Sequence, residues 1–124
     1  MGRYALVLVV ALAGPPDASA AYVQGGREWS ILSAGGKIAW ATGFVDGAFS
    51  LNASGDLQKR HLLRCLTELG VSGAEVARLV EYGYKDARNM DLPAAAVAWS
   101  GIRKLCLGKV NRYRNETGLR PLDP

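Results

Sequence analysis

The residues able to do chemistry in this chain are few, and their spacing decides what they could do together. There is one histidine and there are two cysteines. His61 stands in QKRHLLR beside Lys59, Arg60 and Arg64, where neighbouring positive charge disfavours its protonated form. An exposed place on a helix is the expectation for it. Cys65 and Cys106 read as one disulfide in an exported chain, since an even pair in an oxidising compartment is normally bridged; the alternative is two buried free thiols. A zinc site is disfavoured, because His61 beside Cys65 does not make up a four-ligand set. Nothing in the spacing of Asp46, Glu68 and Glu75 pairs them over three separate exposed acids. No nucleophile elbow or phosphate-cradling glycine loop occurs. The chain is therefore not expected to be an enzyme, and no catalytic residue, cofactor or metal is expected.

A second pattern concerns backbone. In WATGFVDGAF, Trp40 to Phe49, Gly43 and Gly47 flank the carboxylate of Asp46, and with Ala39 they recur at i, i+4 and i+8. An interior glycine costs a helix about 1 kcal/mol against alanine. A close crossing by a neighbouring helix would offset that cost, and the alternative is backbone left open for a ligand or partner. Asp46 and Lys37 argue against the lipid-facing version of such a groove. Trp40, Gly43, Asp46 and Gly47 are accordingly candidates for a structural signature.

These residues need helices to position them, and the hydrophobic spacing supplies helices throughout. The AYVQGGREWSILSAGG stretch reads as a turn of helix docked by Trp29 or as an extended arm. A first full helix is expected from Lys37 to Leu51, and a second from Leu57 to Leu69 with Asp56 as N-cap and Gly70 as stop. Ser72 and Glu75 form the S-x-x-E capping box of a third helix that reaches Tyr84. Asp91 is expected to cap a fourth, with Pro93 in its first turn and Gly108 closing it. The sum is an all-α, four-helix bundle-like domain over 21–107, stapled by one disulfide. Residues 108–124 then read as a basic C-terminal tail.

The first 20 residues follow the order of a secretory signal: Arg3, the apolar Tyr4 to Ala13, the breakers Gly14, Pro15 and Pro16, and the small-residue site Ala18-Ser19-Ala20. The apolar run is shorter than the ~20 residues a membrane span needs. Cleavage after Ala20 and a periplasmic or secreted location are the expectation. The net charge of +4 falls after Ile102, where Arg103, Lys104, Lys109, Arg112, Arg114 and Arg120 face only Glu116 and Asp123. An exported cluster of this kind meets anionic envelope surfaces before nucleic acid. Lys109, Arg112, Tyr113 and Arg114 are the candidates for such a contact, and no nucleic-acid partner is expected.

Trp29, Trp40, Gly43, Asp46-Gly47, Cys65, the Ser72 to Tyr84 helix, Ala94 to Ala98 and Cys106 together resemble the Rap1a/Tai-type immunity domain, a family of small exported helical proteins of bacteria. The resemblance implies a periplasmic inhibitor that binds a peptidoglycan-cleaving amidase delivered by type VI secretion. The expected function is thus an immunity or inhibitor-type binding module whose partner is a protein, with Tyr82, Tyr84 and Arg88 as its contact surface. The alternative is an envelope structural or stress protein that holds anionic surfaces through its basic tail.

Overall fold

Trp29 is too large and apolar to stay in water, and it fixes the start of the fold. A computed structural model describes residues 22–50 and 55–124. In it a short helix, α1 (Gly26–Ile31), buries Trp29. The signal-like segment lies outside the described residues. Just before α1, the carbonyl of Val23 accepts a hydrogen bond from the Ala94 amide at 2.9 Å, and the Gly26 amide donates to the Met90 carbonyl at 2.9 Å. The chain start is thereby sewn to the connection between two later helices.

Ser33 begins α2 (Ala34–Val45), its hydroxyl oxygen accepting from the Gly36 amide at 2.9 Å. The helix continues into one π-helical turn, Asp46–Ser50. The widened turn carries Phe49, which is fully buried. An aromatic run crosses the core from α1 through this helix: Trp29 meets the edge of Trp40 at 5.5 Å, Trp40 stacks on Phe44 at 5.3 Å, Phe44 meets Phe49 at 6.0 Å, and Phe49 stacks on Trp99 at 5.4 Å. Pairs of this kind contribute about 0.5–1.5 kcal/mol each beyond the area they bury.

Asp56 caps α3 (Leu57–Leu69) by accepting from the Lys59 amide at 3.0 Å, and Gly70 ends it with φ 63°. In that left-handed turn the Val71 amide returns to the Leu66 carbonyl at 2.9 Å, the closure that favours glycine. Ser72 and Glu75 then form the expected box at the start of α4 (Gly73–Gly83), with the Glu75 carboxylate accepting from the Ser72 amide and hydroxyl.

Helix α4 lies against α2 on one side and α5 (Ala94–Glu116) on the other, and α3 packs on α5. Close approach is made at the ends of α4. A Cβ on Gly73 would lie 2.1 Å from Thr42 Oγ1 and 3.2 Å from the Ile38 carbonyl oxygen, and one on Gly83 would lie 2.4 Å from Val97 Cγ1. The disulfide Cys65–Cys106 joins α3 to α5 across a Cα–Cα distance of 6.0 Å, with both cysteines fully buried.

The domain is all-α, and the described residues form the four expected helices and a fifth, α1, where a docked turn was one of two expectations. Two boundaries are corrected. Asp91 is not the cap of the last helix: Pro93 precedes its first residue, with no side-chain cap. Gly108 does not close that helix, which runs on to Glu116. Beyond it the chain folds back. Asn111 Oδ1 accepts from the Leu122 amide at 2.7 Å, and Asn111 Nδ2 donates to the Leu122 carbonyl at 3.2 Å. What reads as a tail over 108–124 is the last part of a helix and a strap lying along it.

Candidate functional site

Between α4 and the first half of α5 a groove of about 720 Å³ opens to solvent. Leu79 and Val97 give it an apolar floor, and Gly83 and Gly101 lie where the two helices meet beneath it. Tyr82, Leu92 and Leu105 line it and are all exposed, Tyr82 to 75%. Lys85 and Lys104 also line it, and neither makes a salt bridge among the described residues. The Lys85 ammonium lies 6.0 Å from the centre of the Tyr82 ring. Asp86, the carboxylate of the lining, is gripped by Arg88, whose guanidinium donates at 2.7 Å to Oδ2 and at 3.1 Å to Oδ1. Those bonds, with the Arg88 amide and the charge of Lys104, hold the Asp86 carboxyl down at about 2.

The three residues expected to form a contact surface separate accordingly. Tyr82 lines the groove, and Arg88 reaches its edge through Asp86. Tyr84 is only 9% exposed: its ring faces Trp29 and its hydroxyl donates to the Leu92 carbonyl at 2.7 Å. Burial and the nearby Glu28 charge push the Tyr84 hydroxyl up to about 12. Tyr84 is a core residue that fixes the connection behind the groove, and the expectation that it is exposed is corrected. Leu79, Leu92, Gly101, Lys104 and Leu105 were not foreseen as one surface. For Leu79, Gly101 and Leu105 the signal, small or apolar residues at one-turn spacing on two helices, is indistinguishable from core packing until the helices are placed side by side; Leu92 sits in the connection before α5, and Lys104 reads as an ordinary solvated charge.

Gly43 of α2 and Gly47 of its π turn do not make, among the described residues, the close crossing expected of them. No described atom lies within 4 Å of a Cβ built on Gly43 or Gly47. Trp40 belongs to the aromatic run, and Asp46 is exposed at the junction of α2 with its π turn. The signature therefore divides: Trp40 packs, whereas Gly43 and Asp46 are exposed and Gly47 is half-buried in the turn that delivers Phe49.

The four expected anionic-surface residues also divide. Lys109 donates to Glu68 at 3.1 Å. Tyr113 is 2% exposed and its hydroxyl donates to the same Glu68 carboxylate. Arg114 Nε donates to the Arg120 carbonyl at 2.5 Å. Arg112 is exposed, without a salt bridge among the described residues. Three of the four are thus spent on internal contacts. Glu68 is the hub for Lys109 and Tyr113: bonds from Tyr113, Lys109 and Arg64 hold its carboxyl at about 2, and the Arg64 guanidinium lies 3.9 Å from the centre of the Tyr113 ring. The cluster clamps α3 to α5 one turn beyond the disulfide.

His61 is buried, 8% exposed, and not on an open helix face as expected. Its ring packs near Tyr113 at 5.7 Å, and Nδ1 has no hydrogen-bond partner among the described residues. Burial first, and then the charges of Arg114, Arg60 and Arg64, lower its pKa. A second carboxylate hub, Glu81, accepts from Trp29 Nε1 at 2.6 Å and from Lys37 Nζ at 3.0 Å, and those bonds lower its pKa. Among the described residues no group of three or more His, Cys, Asp or Glu could hold a metal ion, and no helix is long and apolar enough to cross a membrane. Compared with known protein families, curated proteins and solved structures, the chain matches none.

Proposed function

We propose that the protein is an exported binding module of the inhibitor or immunity type, which neutralises a peptidoglycan amidase. The groove between α4 and α5 carries this reading: exposed Tyr82, Leu92 and Leu105 beside a recessed apolar floor have the make-up of a protein contact, where aromatic anchors over small pockets contribute most of the affinity. The framework behind the groove is stiff, because a buried disulfide and the Glu68 clamp hold α5 in place. A preformed surface loses little entropy on binding. The buried disulfide suits an oxidising compartment outside the cytoplasm, and the resemblance to the Rap1a/Tai-type domain supplies the class of target.

The test is recovery from the producing cell's envelope on the oxidised protein, with a Tyr82→Ala variant alongside. Stoichiometric recovery of an amidase whose peptidoglycan hydrolysis stops when the protein is added, with weaker recovery on the variant, is the expected result. Retention of anionic vesicles alone, lost at high salt, would replace this reading with the envelope-surface one.

A further inference from the structure

We propose that the α4–α5 groove receives an acidic segment with apolar anchors, presented by the protein partner. The inference rests on the binding-module reading and adds the chemistry of what is bound. Its basis is the distribution of charge. Lys85 and Lys104 line an apolar floor without salt-bridge partners among the described residues. The lining carboxylate, Asp86, is neutralised by Arg88. The remaining acids of α4 are turned to other work: Glu81 is held by Trp29 and Lys37 on the α2 side, and Glu75 closes the cap at the helix start. Lys104 also acts on Asp86 and Lys85 on Glu81 through charge alone, yet Lys85, Lys104 and Arg88 outnumber Asp86 at the groove; its net charge is positive beside exposed apolar side chains, and its complement is a run that alternates carboxylates with leucine-like residues.

Shape and polarity favour a peptide as the occupant. Gly83 and Gly101 let the two helices meet closely beneath the groove, where a Cβ would lie 2.4 Å from Val97 Cγ1 and 3.2 Å from Leu79 Cβ respectively. Ser100 adds an exposed hydroxyl to the lining, and Asn89, whose Nδ2 donates to the Gly83 carbonyl at 2.8 Å, leaves its amide oxygen as an acceptor, polar groups that suit a backbone more than an acyl chain. Tyr82, exposed and with few rotatable bonds, can cover an inserted side chain at small entropic cost.

The experiment follows amide shifts of the oxidised protein as three synthetic helical peptides are added: one of leucine and glutamate, one with lysine for glutamate, and one with serine for leucine. Vesicles of phosphatidylglycerol are titrated in parallel. The leucine–glutamate peptide is expected to shift amides of the groove lining and to bind at least about tenfold more weakly to a Lys85→Glu/Lys104→Glu variant. That variant should gain affinity for the leucine–lysine peptide, and both exchanged lysines are exposed, so the fold is retained. Ala96→Trp, which fills the groove, should abolish binding of either peptide. Equal binding to wild type and the charge-reversed variant, shifts elsewhere on the surface, no binding of the leucine–glutamate peptide, or preference for vesicles would each overturn the proposal. An amidase captured equally by wild type and the charge-reversed variant would also overturn it while leaving the inhibitor reading intact. Peptide binding at the groove with no amidase inhibited would sustain it and remove that reading.

Discussion

A glycine inside a helix is justified by the collision its side chain would cause, and by that measure the helical glycines of this protein fall into two groups. At Gly73 a Cβ would strike Thr42, and at Gly83 it would strike Val97; at Gly43 and Gly108 it would meet no described atom within 4 Å. Gly43→Ala and Gly108→Ala should therefore raise stability by about 0.5–1 kcal/mol each, by helix propensity alone. Gly73→Ala should lower it by about 1–3 kcal/mol, because a backbone oxygen limits relaxation there; urea denaturation midpoints check all three. His61 and a set of carboxylates with lowered pKa values, Glu68, Asp86, Glu81 and Glu75, shape the response to acid. His61, with its pKa below the ordinary 6.5 in the fold, binds its proton more readily in the unfolded chain, so stability falls as pH drops through 6.5 toward the folded value. Glu68, held at about 2 against an ordinary 4.5, stabilises the fold fully above 4.5 and loses that contribution as pH falls toward 2. The expected acid profile has two declines. His61→Gln should remove only the upper one, and denaturation midpoints measured from roughly pH 8 to pH 3 would show whether it does.

At the scale of the element, the boundaries that could be read from sequence are those set by local chemistry. Asp56 accepts from an amide three residues on, Ser72 and Glu75 satisfy one another, and Gly70 takes the left-handed turn its lack of a side chain permits. The end of α5 follows another rule. Gly108 reads as a stop by propensity, yet Cys106, Val110 and Tyr113 are buried along one stripe, and tertiary packing carries the helix through the glycine. Likewise the groove escaped the sequence because its two walls are helices whose facing residues lie far apart in the chain, whereas exposed Tyr82 on one wall was legible. The strap beyond α5 is held by Asn111, which bonds both the amide and the carbonyl of Leu122. Asn111→Ala should cost about 1 kcal/mol and speed amide exchange at Leu122 while leaving the amides of α3 protected, as hydrogen exchange would show.

For the whole molecule, the decisive constraint is the bond between Cys65 and Cys106, separated by 41 positions in sequence. Reduction, or a Cys65→Ser/Cys106→Ser variant, should lower stability by about 2–5 kcal/mol, a large share of the ~5–15 kcal/mol available to a small domain. Thermal melting of the oxidised and reduced protein measures it, and the loss should be similar in the variant and the reduced wild type. The same bond separates two kinds of continuity. The whole of α4 and the 84–93 connection at the groove's edge lie between the bridged cysteines, so a single peptide-bond cleavage there leaves both fragments in one covalent molecule. A protein nicked beside its own recognition surface would migrate intact on a non-reducing gel and fall into two pieces only when a thiol is added.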